Sequence, residues 1–306
     1  MPGWHLPWFA GASQGIFARH GLDVELVDPE PGPDNVRAVA AGRYDLCLTS
    51  VAHYLNAQAR GEVDARFVLV VTRRSHMAAF AIRGRPGAHG REIAALDDLP
   101  GASFLGPAAS AFTREYLALL DRLQGAPGPH IERPYPEVME ALAVGDGDVA
   151  VDYLDLLPRF EAAARPRGLE LRALPFWPRA APVYGSGVVA GEQVIATRPK
   201  VLASFAAAAR EAFELTRRAP DAGLEALLRR FVGHEREYAL AGWVAGAPSI
   251  FDDVGEPEAL GAMDLGTWRT TIEHHARIHG TPRLAAERVF EPTFAGRASS
   301  LAPLGG

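Results

Sequence analysis

Short apolar runs bounded by Gly, Pro and Asp alternate along the first two-thirds of the chain with longer stretches whose apolar positions recur every three or four residues. The first pattern predicts strands at Asp23–Val27, Asp45–Leu48, Phe67–Val71, Ala79–Ile82, Ser103–Leu105, Val149–Val151, Leu169–Leu171 and Gly187–Ala190. The second predicts helices at Pro33–Ala41, Val51–Arg60 and Ala111–Leu123. Thr49-Ser50 and Ser110 stand just ahead of the last two, where a hydroxyl can accept from an otherwise unpaired helix N–H. The alternation predicts an α/β fold with mostly parallel strands. From Pro199 the pattern turns to long amphipathic stretches, Val201–Arg217, Leu224–Phe231, Glu235–Ala245 and Leu265–Ile278, before a small-residue tail, Ser299–Gly306.

At 306 residues the chain is long enough for two domains. The Gly/Pro/Arg-rich segments Arg83–Arg91 and Phe176–Pro182 read as crossings between them. This predicts a discontinuous lobe I, residues 1–88 and 184–306 with the C-terminal helices packed on it, and an inserted lobe II, residues 89–183. No apolar run approaches the roughly 20 residues of a membrane-spanning helix. A net charge of −6 with scattered basic residues argues against a nucleic-acid partner. The single cysteine, Cys47, excludes an internal disulfide framework, and the single lysine, Lys200, leaves almost no room for Schiff-base chemistry. Met1-Pro2-Gly3-Trp4 carries neither the basic nor the apolar region of a signal peptide.

The first fifty residues hold an ordered series: Trp4-His5-Leu6-Pro7-Trp8-Phe9-Ala10, Gly15-Ile16-Phe17 and Gly21-Leu22-Asp23-Val24. A Pro31-Gly32-Pro33 turn follows, then Ala41-Gly42-Arg43-Tyr44-Asp45-Leu46-Cys47-Leu48-Thr49-Ser50. Near the C-terminus stand Gly261-Ala262-Met263-Asp264, Trp268, Val289-Phe290 and Phe294. The series resembles the substrate-binding proteins of ABC transporters for aliphatic sulfonates and thiamin-pyrimidine precursors. The resemblance implies a type II periplasmic-binding-protein fold, two α/β lobes closing on a small molecule, with a helical C-terminal portion. It implies a monomer without a cofactor that delivers its ligand to ABC permease and ATPase subunits. It also implies a periplasmic or lipid-anchored extracellular location if a leader lies upstream of this numbering, and a cytoplasmic one otherwise. Only three residues precede Trp4, where the family has a strand.

The candidate ligand contacts follow from strand ends and helix starts. Trp4 and Trp8 offer rigid indole faces for a flat heterocycle, or one of them packs in the core. Thr49 and Ser50 open a helix and serve either the ligand or the cap. His53 falls where the pyrimidine-synthase branch of the family carries its substrate-donor histidine, but Thr49 stands at that branch's pyridoxal-phosphate lysine and its cysteine cluster is absent. The self-consuming synthase is therefore set aside. In the second lobe Gly106-Pro107-Ala108-Ala109-Ser110 lets a backbone approach a ligand, with Ser110 as donor. Asp152 and Tyr153 follow a strand, where a carboxylate suits a ring N–H or an amine. Tyr184 and Ser186 follow the second crossing, and His76 lies beside the first.

Two further patterns carry less. Gly11-Ala12-Ser13-Gln14-Gly15 spells G-x-S-x-G inside a helical run rather than at a strand-to-helix turn. His275 and His279 are one helical turn apart and read as a solvated face without further metal ligands. The expected function is a solute-binding protein of an importer, for a pyrimidine-type, aromatic or sulfonate-type nutrient. The alternative is a cytosolic lyase or hydrolase on the same fold, using His53 and Asp152 as acid–base groups.

Overall fold

The computed structural model describes residues 3–28, 34–87, 90–108, 110–135, 137–251 and 260–294. The Pro31–Pro33 turn, Ala109 and the tail from Ser299 lie outside them. Among the described residues eight strands form two sheets: β1 (Leu46–Ser50), β2 (Ala65–Thr72), β3 (Met77–Ile82), β4 (Phe104–Gly106), β5 (His130–Glu132), β6 (Val149–Tyr153), β7 (Leu171–Pro175) and β8 (Ser186–Gly191). The chain divides into two compact units. One holds residues 1–4, 75–182 and 235–246; the other holds 5–74, 183–234 and 247–306.

The first unit is built on a five-stranded sheet of order β5-β4-β6-β3-β7. Its strands are apolar on both faces because both faces are covered. In β3 the two-residue period sends Ala79 and Ala81 into one core with Leu99, Tyr116 and Phe176. Ala78, Phe80 and Ile82 enter a second core with Val138, Leu142 and Phe160. Phe80 and Phe160 stack there at 4.3 Å.

The other unit carries a three-stranded sheet, β1-β8-β2. Against it pack Tyr54 and Leu55 of the helix Val51–Ala59 and Trp268 and Ile272 of the helix Leu265–His279. Tyr54 and Leu55 stand three and four residues after the buried Val51, and Ile272 four after Trp268, which places each set on one helical face. Trp8 is also spent on packing in this unit, stacked on Phe205 at 5.9 Å and edge-on to Phe213 at 5.1 Å.

Several expectations change. The strands are not mostly parallel: β8 is antiparallel to β1 and β2, and β3 to β6 and β7, leaving only β4–β5 and β4–β6 parallel. Residues Asp23–Val27 alternate in exposure but form no strand. Alternation does not supply the neighbour that a ladder needs. β7 begins where Leu169–Leu171 was expected to end, because its register is taken from β3, with Leu171 opposite Ile82 and Pro175 opposite Ala78. Its place at the sheet edge tolerates Pro175. The short edge strand β5 has no apolar run and was not foreseen.

β3, placed by its sequence before the crossing, belongs to the five-stranded sheet. The helix Arg236–Gly246 packs beside Leu154–Leu156 of that same unit instead of joining the other C-terminal helices. Gly242 permits this, since a Cβ there would lie 2.8 Å from the Asp155 carbonyl oxygen. Among the described residues no helix is long and apolar enough to cross a membrane.

Candidate functional site

The sequence candidates separate into two groups, one in each unit. In the unit with the three-stranded sheet, hydroxyl groups gather at one end of the strands, where Ser186 of β8 is opposite both Ser50 and Thr72. Ser50, Thr72 and Ser186 each have a partner within the fold. Ser50 caps its helix, its Oγ accepting from the His53 N–H at 3.2 Å. The Thr72 and Ser186 hydroxyls share a hydrogen bond of 2.8 Å. Thr49 is buried in β1. The buried Tyr184 ring packs on Trp268 at 5.2 Å, and its hydroxyl accepts from the Asp264 N–H at 2.9 Å. His53 is exposed on its helix. His275, expected on a solvated face, is buried and bonded to Asn56 Oδ1 at 3.2 Å, because the helix Val51–Ala59 packs against it. Gly15 lies past the end of the helix Leu6–Ser13 in a left-handed turn, so the G-x-S-x-G pattern forms no nucleophile elbow.

The unit with the five-stranded sheet is different. The β3–β6 register sets Met77 opposite Tyr153 and Ala78 opposite Asp152, so His76, one residue earlier, comes alongside Tyr153. Their rings stack at 4.1 Å and 19°. Trp4 meets the His76 ring edge-on at 5.2 Å. On the far side Phe112 of the helix Ala111–Arg122 meets Tyr153 at 4.6 Å and Tyr135 at 5.8 Å. Five rings thus run in file: Trp4, His76, Tyr153, Phe112, Tyr135. Gly246 makes room at one end, since a Cβ there would come within 3.2 Å of the Trp4 indole and 3.3 Å of Asp155 Cβ.

Beside this file lie two buried carboxyl groups. Asp152 is 2% exposed and Asp155 7%, with His76 at 9%. Asp152 Oδ1 accepts from the Tyr153 N–H at 2.7 Å. Asp152 Oδ2, Asp155 Oδ1, His76 Nδ1 and Trp4 Nε1 are buried with no hydrogen-bond partner. Buried polar atoms are rarely left so, each costing on the order of 1–3 kcal/mol. Burial pushes the Asp152 carboxyl up to about 7, against the pull of the Tyr153 N–H, with the Asp155 charge adding to the rise. Burial likewise lifts Asp155 to about 6, although the Trp4 indole, outside hydrogen-bond geometry, the terminal ammonium and Arg159 favour its charged form. His76 is pushed down to about 3 by burial alone.

Four of the residues singled out from sequence, Trp4, His76, Asp152 and Tyr153, therefore come together. Ser110 does not show the same vacancy: its Oγ accepts from the Thr113 N–H and donates to Thr113 Oγ1, both at 3.1 Å, as a helix cap. Asp155, Phe112 and Tyr135 were missed. Asp155 was within reach, being three residues past Asp152 at the same strand end, whereas Phe112 and Tyr135 carry no local signal. No group of three or more His, Cys, Asp or Glu among the described residues is arranged to hold a metal ion.

Comparison with known proteins places this geometry. The family described as NMT1/THI5 like matches residues 3–223. A curated relative, the 4-amino-5-hydroxymethyl-2-methylpyrimidine phosphate synthase THI11 of Saccharomyces cerevisiae, is 33% identical over 58 residues, 19% of this chain and only 17% of the relative. The periplasmic aliphatic sulphonate binding protein SsuA of Escherichia coli aligns at a TM-score of 0.67 and 17% identity, covering 98% of this chain and 94% of that one. The desulfurization enzyme DSZB aligns at 0.63 and 15%, covering 94% of each. At these identities the likeness is one of fold, the periplasmic-binding-protein fold.

Proposed function

The chain belongs to the NMT1/THI5-like family, and from that premise we propose that it is the solute-binding component of an ABC-type importer for a small nitrogen-bearing organic solute. It would hand that solute to permease and ATPase subunits outside the cytoplasmic membrane. The observation that carries the reading is the pair of buried carboxyl groups, Asp152 and Asp155, each with one unpartnered oxygen, beside the Trp4–Tyr153 rings. Rings supply flat apolar contact at small entropy cost, and the carboxyl oxygens accept from N–H groups. A few convergent polar groups on an apolar wall are what orient a small ligand. A sulfonate, as bound by some proteins of this fold, would bring a negative charge to a carboxylate pair.

The synthase activity of the curated relatives is not carried over. Thr49 stands at the position of that branch's pyridoxal-phosphate lysine, and Cys47 is the only cysteine. An acid–base enzyme using His53 with Asp152 draws no support either, because His53 is an exposed residue of its helix. The test is a thermal-shift screen of the full chain against pyrimidines, amines, aromatic acids and sulfonates. A ligand at roughly 100 times its dissociation constant stabilises the fold by about 2.7 kcal/mol. A nitrogenous compound that raises the melting temperature and is recovered unchanged is the expected result; one that is consumed overturns the reading.

A further inference from the structure

The charge balance around Asp152 and Asp155 goes a step beyond a preference for nitrogen. Neither carboxyl has an ion-pair partner among the described residues. The groups that face them are mostly of the wrong sign or neutral: Glu115 acts on Tyr153, Tyr135 and Tyr153 adjoin Asp152, and His76 is held uncharged. The terminal ammonium and Arg159 favour the charged form of Asp155, but among the described residues no positive group acts on Asp152. A buried carboxylate without a counter-charge is costly, and proteins retain such groups where something else completes the pair. The rings are placed to assist. Aromatic faces attract ammonium groups within about 6 Å, more strongly where water is excluded.

We infer that the solute of this site is an organic cation, a protonated or quaternary amine whose positive centre lies against the Trp4–Tyr153 rings and is neutralised by Asp152 and Asp155. This rests on the solute-binding reading above. A neutral heterocycle would use the carboxyl oxygens as acceptors but leave their charge uncompensated. Cation binding favours the ionised carboxylates, whose protonation burial promotes up to about 7 and about 6. Affinity therefore rises with pH through that range, and binding at its lower end releases protons.

The experiment titrates the full chain by calorimetry with choline and benzylamine. Beside them run 3,3-dimethylbutan-1-ol, the uncharged isostere of choline, 4-amino-2-methylpyrimidine and methanesulfonate. We expect at least one cation to bind tenfold or more tightly than the neutral probes, with affinity rising between pH of about 5 and 8. Asp152→Asn and Asp155→Asn should each weaken that cation by about tenfold or more. The isostere comparison needs no variant, so it stands even if one of them fails to fold. Equal binding of choline and its isostere, or no cation binding at about 10 mM, overturns the inference. If the aminopyrimidine binds and the cations do not, the solute-binding reading survives alone. If methanesulfonate binds and ignores both variants, both readings fail.

Discussion

Two groups of polar side chains, one in each unit, differ in how completely the fold satisfies them. Around the three-stranded sheet, Ser50, Thr72, Ser186 and Tyr184 occupy strand ends and helix starts, and each is matched to a partner of the fold. Around the five-stranded sheet, Trp4, His76, Asp152 and Asp155 each leave a buried atom unmatched, and there the unmatched atoms include carboxyl oxygens, whereas in the other unit the Trp8 and Trp268 indoles sit unmatched inside ring packing. The first group consists of hydroxyls, which donate and accept and so find partners within the fold, whereas the second holds two carboxyls, an imidazole and an indole. The difference is one of completion. A satisfied group contributes to stability, whereas an unsatisfied one lowers it until a partner arrives. The first group is therefore read as structure and the second as the place where a ligand adds something the chain lacks.

Substitutions can break this contrast or sharpen it. The largest effect belongs to the unit with the three-stranded sheet. Trp268→Ala, which empties the centre of the Tyr184, Phe67 and Phe290 rings, should cost about 3–5 kcal/mol in chemical denaturation. A smaller loss would mean that this core is not closed. Next comes Trp4→Ala, expected to weaken the cognate solute by about tenfold, or 1.4 kcal/mol. Unchanged affinity in a folded variant would take Trp4 out of the site. On the satisfied side, Ser50→Ala should lower stability by about 1 kcal/mol through loss of the cap while leaving affinity unaltered. A loss of binding there would erase the distinction between the units.

The finest test uses pH. Asp152, normally near 3.8, is raised to about 7 in the fold, so the native state holds a proton that the unfolded chain has released. Its contribution is full below about 3.8 and is lost as pH rises to 7. His76, lowered from 6.5 to about 3, acts in the other direction, lending stability above 6.5 that disappears as pH falls. Asp152→Asn removes only the first effect. Its melting temperature relative to the unsubstituted protein should be near parity at pH of about 4 and higher at about 8, by on the order of 1 kcal/mol. A difference that does not change with pH would show Asp152 to be matched after all.

How much of this was legible in the chain can be judged residue by residue. Ser50 and Ser110 are caps, as their positions ahead of apolar runs suggested, because capping is decided within four residues. The pairing of Asp152 with Tyr153 at a strand end was equally local. Trp8 shows the limit: its motif neighbours are the same kind as those of Trp4, yet Phe205 and Phe213, some two hundred residues on, enclose it. The antiparallel β3, the displaced β7 and the edge strand β5 were illegible for a related reason. Strand period is a local property, but direction and register belong to the partner.

By itself, then, the sequence determined the alternation of elements, their caps, the family and four side chains of the candidate site. Tertiary structure decided which strands pair and in which direction. It also decided that the helix Arg236–Gly246 returns to the five-stranded unit, and that Phe112 and Tyr135 join Tyr153 from elsewhere in the chain. Above all it decided which polar atoms were left over. Local periodicity and capping act over a few residues of backbone, whereas satisfaction of a buried oxygen is settled only when every distant element has taken its place.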